Sequence, residues 1–243
     1  MLTSNPKTVV VCLIFLPACA WAENIQLIIQ EFAPYGYTNP KTKVIEGYLT
    51  EKVQAIIKRS GTTSSISSTS LARGMQATKA NPNTCLLNLR RTPERENLFS
   101  WVGPLTTTAW VLYARNDDTH ILKTIEDAKP YRIGSYKNSA TGMELAELGY
   151  KIEFATSDDE NPNLLMMNRI DYWIVAEQRG MYIAQQQGYG ADMSKVAKYK
   201  TVELYMLCNK DFPKQKLEQL NRINKEIDHD GTMQKLLRQY GIR

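Results

Sequence analysis

The sequence predicts an α/β protein built as two lobes, and two observations carry this. Short apolar or β-branched runs alternate with helical patterns of about ten residues, and the alternation runs through the first hundred residues and restarts near Tyr131. Each strand–helix–strand run implies a βαβ unit, so two such systems in one chain imply two parallel sheets. The 243 residues suffice for one large or two small domains with real cores, and a composition of 43% hydrophobic and 23% charged argues against a disordered chain.

Ile25-Gln26-Leu27-Ile28-Ile29 reads as the first strand and ends in the aromatic loop Glu31-Phe32-Ala33-Pro34-Tyr35-Gly36-Tyr37. That loop sits at the carboxyl end of a strand, where open α/β sheets bind ligands. Leu49, Val53, Ile56 and Ile57 recur at helical spacing, and Gly61 closes the helix. Ser64 to Ser68 is the next strand, a helix runs from about Ser70 through Met75, and the apolar run Cys85 to Leu89 is a buried strand. Directly after it, Thr92 and Pro93 form a helix start, with Thr92 as N-cap and Pro93 as the first helical residue. Backbone N–H groups at such an end have no partner within the helix and favour anions. Arg95 adds a planar guanidinium that can grip a carboxylate through two hydrogen bonds, so Arg91 to Glu96 is the candidate anion-binding corner.

Thr106 to Arg115 is β-rich. The alternation then restarts with a strand at Tyr131 to Ser135, the loop Tyr136 to Ala140, a helix through Met143 and Leu148 ended by Gly149, and a strand at Lys151 to Ala155. A helix around Leu164 to Asn168, a strand at Ile170 to Val175 and a helix from Glu177 to Gly188 follow. The loop at Asn138 to Thr141 enters a helix, so it offers free N–H donors and the hydroxyls of Ser139 and Thr141; the same residues also make an ordinary N-cap. Val202 to Cys208 is a return strand. Leu217, Leu220, Ile223 and Ile227 mark one amphipathic helix, and Met233, Leu236, Leu237 and Tyr240 another, ended by Gly241.

The first residues are of another kind. Lys7, the apolar run Val9 to Leu16 and then Ala20-Trp21-Ala22 have the pattern of a secretory signal cleaved after Ala22. The second choice is processing before Cys19 as a lipoprotein, since Leu16-Pro17-Ala18-Cys19 loosely resembles a lipobox that Pro17 fits poorly. Loss of Lys7 leaves 29 basic against 25 acidic residues, a net charge of +4 in place of +5, and the scattered basic residues imply no nucleic acid. Cys85 and Cys208 remain in an oxidising compartment, either as one disulfide or, the preferred reading, as two small buried hydrophobes on separate strands. His120 and His229 have no partners at ligand spacing, so neither a metal nor any other cofactor is expected.

These motifs together resemble a known family. Thr92-x-x-Arg95-Glu96, then Phe99-Ser100 and the Gly103-Pro104 crossover, is similar to the signature of the bacterial extracellular solute-binding proteins of family 3. Those are type II periplasmic binding proteins that feed polar amino-acid transporters. Phe32-Ala33-Pro34-Tyr35, Glu46-Gly47-Tyr48, Arg132-Ile133-Gly134 and Arg169-Ile170-Asp171 extend the resemblance over nearly the whole mature chain. It implies the type II periplasmic-binding-protein fold, two α/β lobes with a ligand cleft between them. Lobe 1 would comprise 23–110 plus 205–243 and lobe 2 111–204, hinged at Thr108 to Tyr113 and at Lys200 to Tyr205.

By the same resemblance, the ligand's α-carboxylate lies on Arg95 and on backbone N–H groups near Asn138 to Thr141, which brings in Ser139, Ala140 and Thr141. Phe32 falls where an aromatic covers the ligand. Three departures follow. Asn88, Leu89 and Arg90 replace small hydroxyl residues. Ala176 replaces the acid that takes the α-ammonium, with Glu177 beside it as a substitute that a one-residue shift redirects. Arg90 and Arg91 suit a further ligand carboxylate, though as strand neighbours at most one points in. The departures point away from a standard α-amino acid. Of Trp101, Trp110, Trp173 and Tyr172, only Trp101 is kept as a site aromatic. The implied function is a monomeric, non-enzymatic periplasmic protein presenting a small polar, carboxylate-bearing solute, an amino acid or related compound, to a membrane ABC transporter permease. The alternatives are a cyclohexadienyl-dehydratase-like enzyme with Glu177 as its acid, or a ligand-sensing subunit of a membrane receptor.

Overall fold

The computed structural model describes residues 24–242, so the expected signal peptide and the expected cleavage after Ala22 lie outside the described residues. The chain enters through β1 (Asn24–Ile29), the small hairpin of β2 (Tyr37–Thr38) and β3 (Ile45–Glu46), and helix α1 (Tyr48–Arg59). β4 (Thr63–Ser68), α2 (Leu71–Ala80), β5 (Thr84–Arg90) and the single turn α3 (Pro93–Glu96) follow. The long strand β6 (Phe99–Arg115) leads into β7 (Arg132–Tyr136), α4 (Ala140–Glu147), β8 (Lys151–Ala155), α5 (Asn161–Met166), β9 (Tyr172–Ala176) and α6 (Glu177–Gln186). A second long strand, β10 (Met193–Asn209), returns the chain to α7 (Lys214–His229) and α8 (Thr232–Gln239).

Eight strands form one hydrogen-bonded sheet in the order β4-β1-β5-β10-β6-β9-β7-β8, which corrects the expectation of two separate parallel sheets. β4, β1 and β5 are parallel at one end, and β9, β7 and β8 at the other. The antiparallel pair β6 and β10 runs between them and makes the two parallel sets one sheet. The C-terminal half of β10 lies between β5 and β6, whereas its N-terminal half pairs with β6 alone. β6 does the reverse, being flanked by β10 and β9 only over Trp110 to Tyr113. Each long strand is therefore interior in one lobe and an edge in the other.

That arrangement explains why β10 begins at Met193 and not at Val202. Its first half carries Lys195, Lys198 and Lys200, charges suited to an edge that must not recruit further strands, and it lacks the apolar run of an interior strand. The register of the pair shifts between Lys195 and Ala197, between Lys198 and Lys200, and between Leu204 and Met206.

In the first lobe Ile25, Leu27 and Ile29 of β1 pack with Leu49, Val53, Ile56 and Ile57 of α1 and with Leu220, Ile223 and Ile227 of α7. In the second lobe Tyr113, Leu165, Ile170, Trp173 and Ile183 form a separate cluster. Cys85 on β5 and Cys208 on β10 are direct antiparallel partners with Cα atoms 3.9 Å apart, and they form a disulfide. The preferred expectation of two lone thiols is thereby corrected: pairing across the ladder puts both side chains on one face within bonding reach. Both cysteines are fully buried.

Candidate functional site

The loop after β1 is fixed from below by α1. The N–H groups of Tyr48 and Leu49 donate to the carbonyls of Pro34 and Tyr35, so the free donors of the helix start hold the loop down. Gly47, at φ +129°, makes this approach possible, since a Cβ there would lie 2.6 Å from the Tyr35 carbonyl oxygen. Tyr35 is fully buried and donates to Gln178 Oε1 of α6 at 3.0 Å. Phe32 stacks on Tyr35 at 5.3 Å between ring centres, and the Arg179 guanidinium covers its other side at 4.5 Å.

β5 delivers Asn88 and Arg90. Leu89 pairs with Tyr205 and Leu86 with Leu207, so Leu87 and Asn88 stand opposite Met206 alone. This is a β-bulge, which bends the strand and re-aims its side chains. Asn88 takes a left-handed φ of 68°, a conformation asparagine tolerates better than most residues. Its side chain is buried, and among the described residues neither Nδ2 nor Oδ1 has a hydrogen-bond partner. Arg90 donates to Thr141 Oγ1 at 3.1 Å and lies 3.5 Å from the Glu144 carboxylate. Arg91 turns to the other side, pairs with Glu96 and lies over the Trp101 ring at 5.6 Å.

Arg95 is half-buried beside them. Its Nη1 reaches the Arg90 carbonyl oxygen at 3.4 Å, and among the described residues it has no carboxylate within ion-pair distance. Desolvation, and then the nearby Arg90 charge, push its pKa below the ordinary arginine value. α3 contributes less than the sequence implies. It is one turn long, Thr92 makes no side-chain cap, and the N–H groups of Arg95 and Glu96 already donate to the Thr92 carbonyl. The guanidinium, not the helix start, carries this corner. Across the cleft Ser139 caps α4 by accepting from the Gly142 N–H at 3.2 Å, which leaves the N–H groups of Ala140 and Thr141 without helical partners.

These elements line a narrow cavity of about 50 Å³. Phe32, Asn88, Arg90, Arg95 and Ala140 line it. Ser139 and Thr141 are fully buried behind Ala140. Gln30, Leu71, Leu89 and Leu204 complete the first wall, Tyr136, Asn138 and Ala176 the second, and Thr108 and Trp110 the floor where β6 passes between lobes. Desolvation pushes the Tyr136 phenol up to about 12, so it is a neutral donor at physiological pH. An outer recess shares Arg90, Arg95, Asn138 and Ala140 and adds Glu94, Glu144 and Glu147.

Two sequence-based placements are corrected. Glu177 does not line the cavity; it forms an ion pair with Lys195 on the outer side, because the end of β9 points Ala176 inward and its neighbour outward. The site tryptophan is Trp110. Trp101 packs with Phe99 and Tyr205 in a satellite core and donates to the Glu96 carbonyl at 3.3 Å, whereas Trp110 lines the cavity.

Residues that sequence reasoning missed tie the lobes together. Arg179 is buried on α6, bonds Asp158 at 2.7 Å and reaches across to the Ala33 carbonyl at 3.2 Å. Asp158 also accepts from Trp173 Nε1 at 2.9 Å. Their signal was faint: a lone arginine after Glu177, and the Ser157-Asp158-Asp159-Glu160 capping box. At the mouth Glu144 accepts from Lys200, Tyr199 and Arg90; burial works to raise its pKa, but these partners hold it below the ordinary carboxylate range. Among the described residues no group of histidine, cysteine and carboxylate side chains could hold a metal, and no helix is long and apolar enough to cross a membrane.

The order of elements, the long paired strands and the cleft between two parallel sets fit one family model, which matches residues 26–242. The chain belongs to the bacterial extracellular solute-binding proteins, family 3. It is a ligand-binding protein of a family whose members work outside the cytoplasm. The solved structures similar to it include a histidine kinase sensor domain with similarity to periplasmic binding proteins (TM-score 0.79, 18% identity, covering 89% of this chain and 95% of that one). The GluR0 ligand-binding core from Nostoc punctiforme in complex with L-glutamate matches at TM-score 0.75 and 17% identity, over 89% of this chain and 98% of that one. The ancestral amino-acid-binding protein AncCDT-1, a precursor of cyclohexadienyl dehydratase, matches at TM-score 0.75 and 17% identity, over 89% and 94%. At these identities they share the fold. A comparison with curated proteins gives no match.

Proposed function

We propose that this protein is a periplasmic solute-binding protein that captures a small carboxylate-bearing solute between its lobes and delivers it to a membrane ABC transporter. The observation that carries the reading is Arg95, a half-buried guanidinium in the cleft wall whose side chain, among the described residues, makes one long hydrogen bond, to a carbonyl. A carboxylate there would receive two charge-assisted hydrogen bonds, and the start of α4, where Ala140 lines the cavity, offers N–H groups without helical partners. Water leaves such a cleft on closure, which strengthens every one of these bonds.

In this reading lobe 1 comprises 23–110 plus 205–243 and lobe 2 comprises 111–204. They move about β6 and β10 near Thr108 to Tyr113 and Lys200 to Tyr205, where the shifted registers of β10 weaken the ladder. Cleavage after Ala22 releases a monomer into the periplasm. A dehydratase-like activity needs a carboxylate against the bound solute, and its candidate, Glu177, is engaged by Lys195 outside the cavity.

A thermal-shift screen of the mature protein against amino acids, dicarboxylates and monocarboxylates tests the reading, since a solute that binds only the native state raises its melting temperature. At least one carboxylate should raise it by several degrees; no response to any of them would refute the site. Recovery of a transporter permease, or of a receptor, from membrane extract by the loaded protein separates delivery from sensing.

A further inference from the structure

The walls of the cavity are unbalanced in charge. Arg95 and Arg90 line it, and among the described lining residues there is no aspartate or glutamate. The acids around it are placed otherwise, and Asp158, whose charge acts on Tyr136, is paired with Arg179. Glu177 pairs with Lys195, Glu144 is engaged by Lys200, Tyr199 and Arg90, and Glu94 and Glu147 line only the outer recess. Ala176, at the end of β9 in the cavity lining, presents only a methyl group and is 1% exposed. The rest of the lining is apolar at Phe32, Trp110, Leu71, Leu89 and Leu204 and polar but uncharged at Gln30, Asn88, Thr108, Tyr136 and Asn138.

We infer that the solute is a carboxylate with an apolar body and no cationic amine next to the carboxylate, rather than an α-amino acid. This rests on the reading of the cleft as a carboxylate site and narrows it. An ammonium group taken from water into these walls would lose its hydration without meeting a counter-charge, and such a group costs several kcal/mol unless paired. It would also stand beside two guanidinium groups. A hydroxyl, a carbonyl or a methylene in the same place carries neither cost, and apolar walls favour the remaining skeleton.

The test is calorimetric titration of the mature protein with matched pairs that share a skeleton: 3-phenylpropanoate, 3-phenyllactate and L-phenylalanine; 4-methylpentanoate, 2-hydroxy-4-methylpentanoate and L-leucine. The amine-free member of a pair should bind at least about tenfold more tightly than the amino acid, the least that one unpaired buried charge is worth. Ala176→Asp, which supplies the missing counter-charge, should narrow or reverse that preference. Ala140→Asp, at the half-buried start of α4, repeats this test at a second wall position if the first variant does not fold.

An L-amino acid that binds wild type as tightly as its amine-free partner, and loses binding in Arg95→Ala, overturns this inference while the carboxylate site stands. If no compound in either class binds, the inference and the site reading both fall.

Discussion

Arg179→Met puts a number on the link between the lobes. The side chains of Arg179 and Asp158 are 6% and 2% exposed and lie 2.7 Å apart, so the substitution leaves a carboxylate stranded in the interior. Removing one partner of a buried pair costs about 3–5 kcal/mol. Asp158 keeps Trp173 Nε1 at 2.9 Å and the Asn161 amide at 3.3 Å, and burial already raises its pKa against the pull of Arg179, so protonation relieves part of the loss. The lost bond to the Ala33 carbonyl and the lost cover of Phe32 act the other way. A net loss of about 3 kcal/mol follows, or about 6–12 °C in Tm for a chain of this length.

Differential scanning calorimetry at pH 7 and near pH 4 measures it. With Arg179 gone, the stranded carboxyl has a folded pKa above its ordinary 3.8, so its penalty is absent at low pH and grows as the pH rises through that value; the deficit must be smaller near pH 4. Arg179→Met combined with Asp158→Leu, which removes both charges, should recover most of the stability. A single variant within about 1 kcal/mol of wild type, or a double variant as unstable as the single, refutes this reasoning.

Asn88→Gly keeps the left-handed backbone and removes a buried amide that has no partner among the described residues, so the unliganded Tm should hold or rise while carboxylate affinity falls about tenfold; unchanged affinity removes Asn88 from the site. Asn88→Ala, with the same φ and a Cβ, should instead lose about 1–2 kcal/mol, read from urea melts. Reduction, or Cys85→Ala with Cys208→Ala, frees two strands crosslinked across 123 residues and should cost about 2–5 kcal/mol; an unchanged melt under reductant contradicts this. Glu144→Gln loosens Arg90 and Lys200 and should cost about 1 kcal/mol at pH 7, discounted for partial exposure. Because the Glu144 pKa is depressed in the fold, the gap from wild type should be full above about pH 4.5 and close as the pH falls further; a gap that does not narrow in acid shows that the charge is not what matters.

Local chemistry made most of the chain readable from the sequence. The apolar spacing of Leu49, Val53, Ile56 and Ile57 belongs to one buried face of α1, and Gly61, at φ +70°, closes it. Thr92, Pro93 and Arg95 are legible as a helix start with a guanidinium because they follow directly on the buried strand β5. What escaped depends on pairing between distant segments. The strand character of Met193 to Thr201 comes from β6 alongside it, and its own lysine-rich residues do not announce it. The bulge that re-aims Asn88 exists only in the register of β5 against β10, and the same pairing joins Cys85 to Cys208. Glu177 and Ala176 differ by one position at a strand end, and only the ladder decides which faces the cavity. Arg179 and Asp158 lie in different elements, so neither residue alone signals a buried pair.

Arg95 as the anchor of the solute is tested most directly by titrating wild type and Arg95→Ala with the carboxylate that gives the largest thermal shift. Because the Arg95 side chain makes one hydrogen bond, at 3.4 Å, among the described residues, the variant should melt within about 2 °C of wild type without solute. Its affinity should fall at least about thirtyfold, the lower end of what truncating one side of a desolvated charge pair costs. Equal affinity in the two proteins would place the carboxylate elsewhere and contradict the cleft as drawn from Arg95.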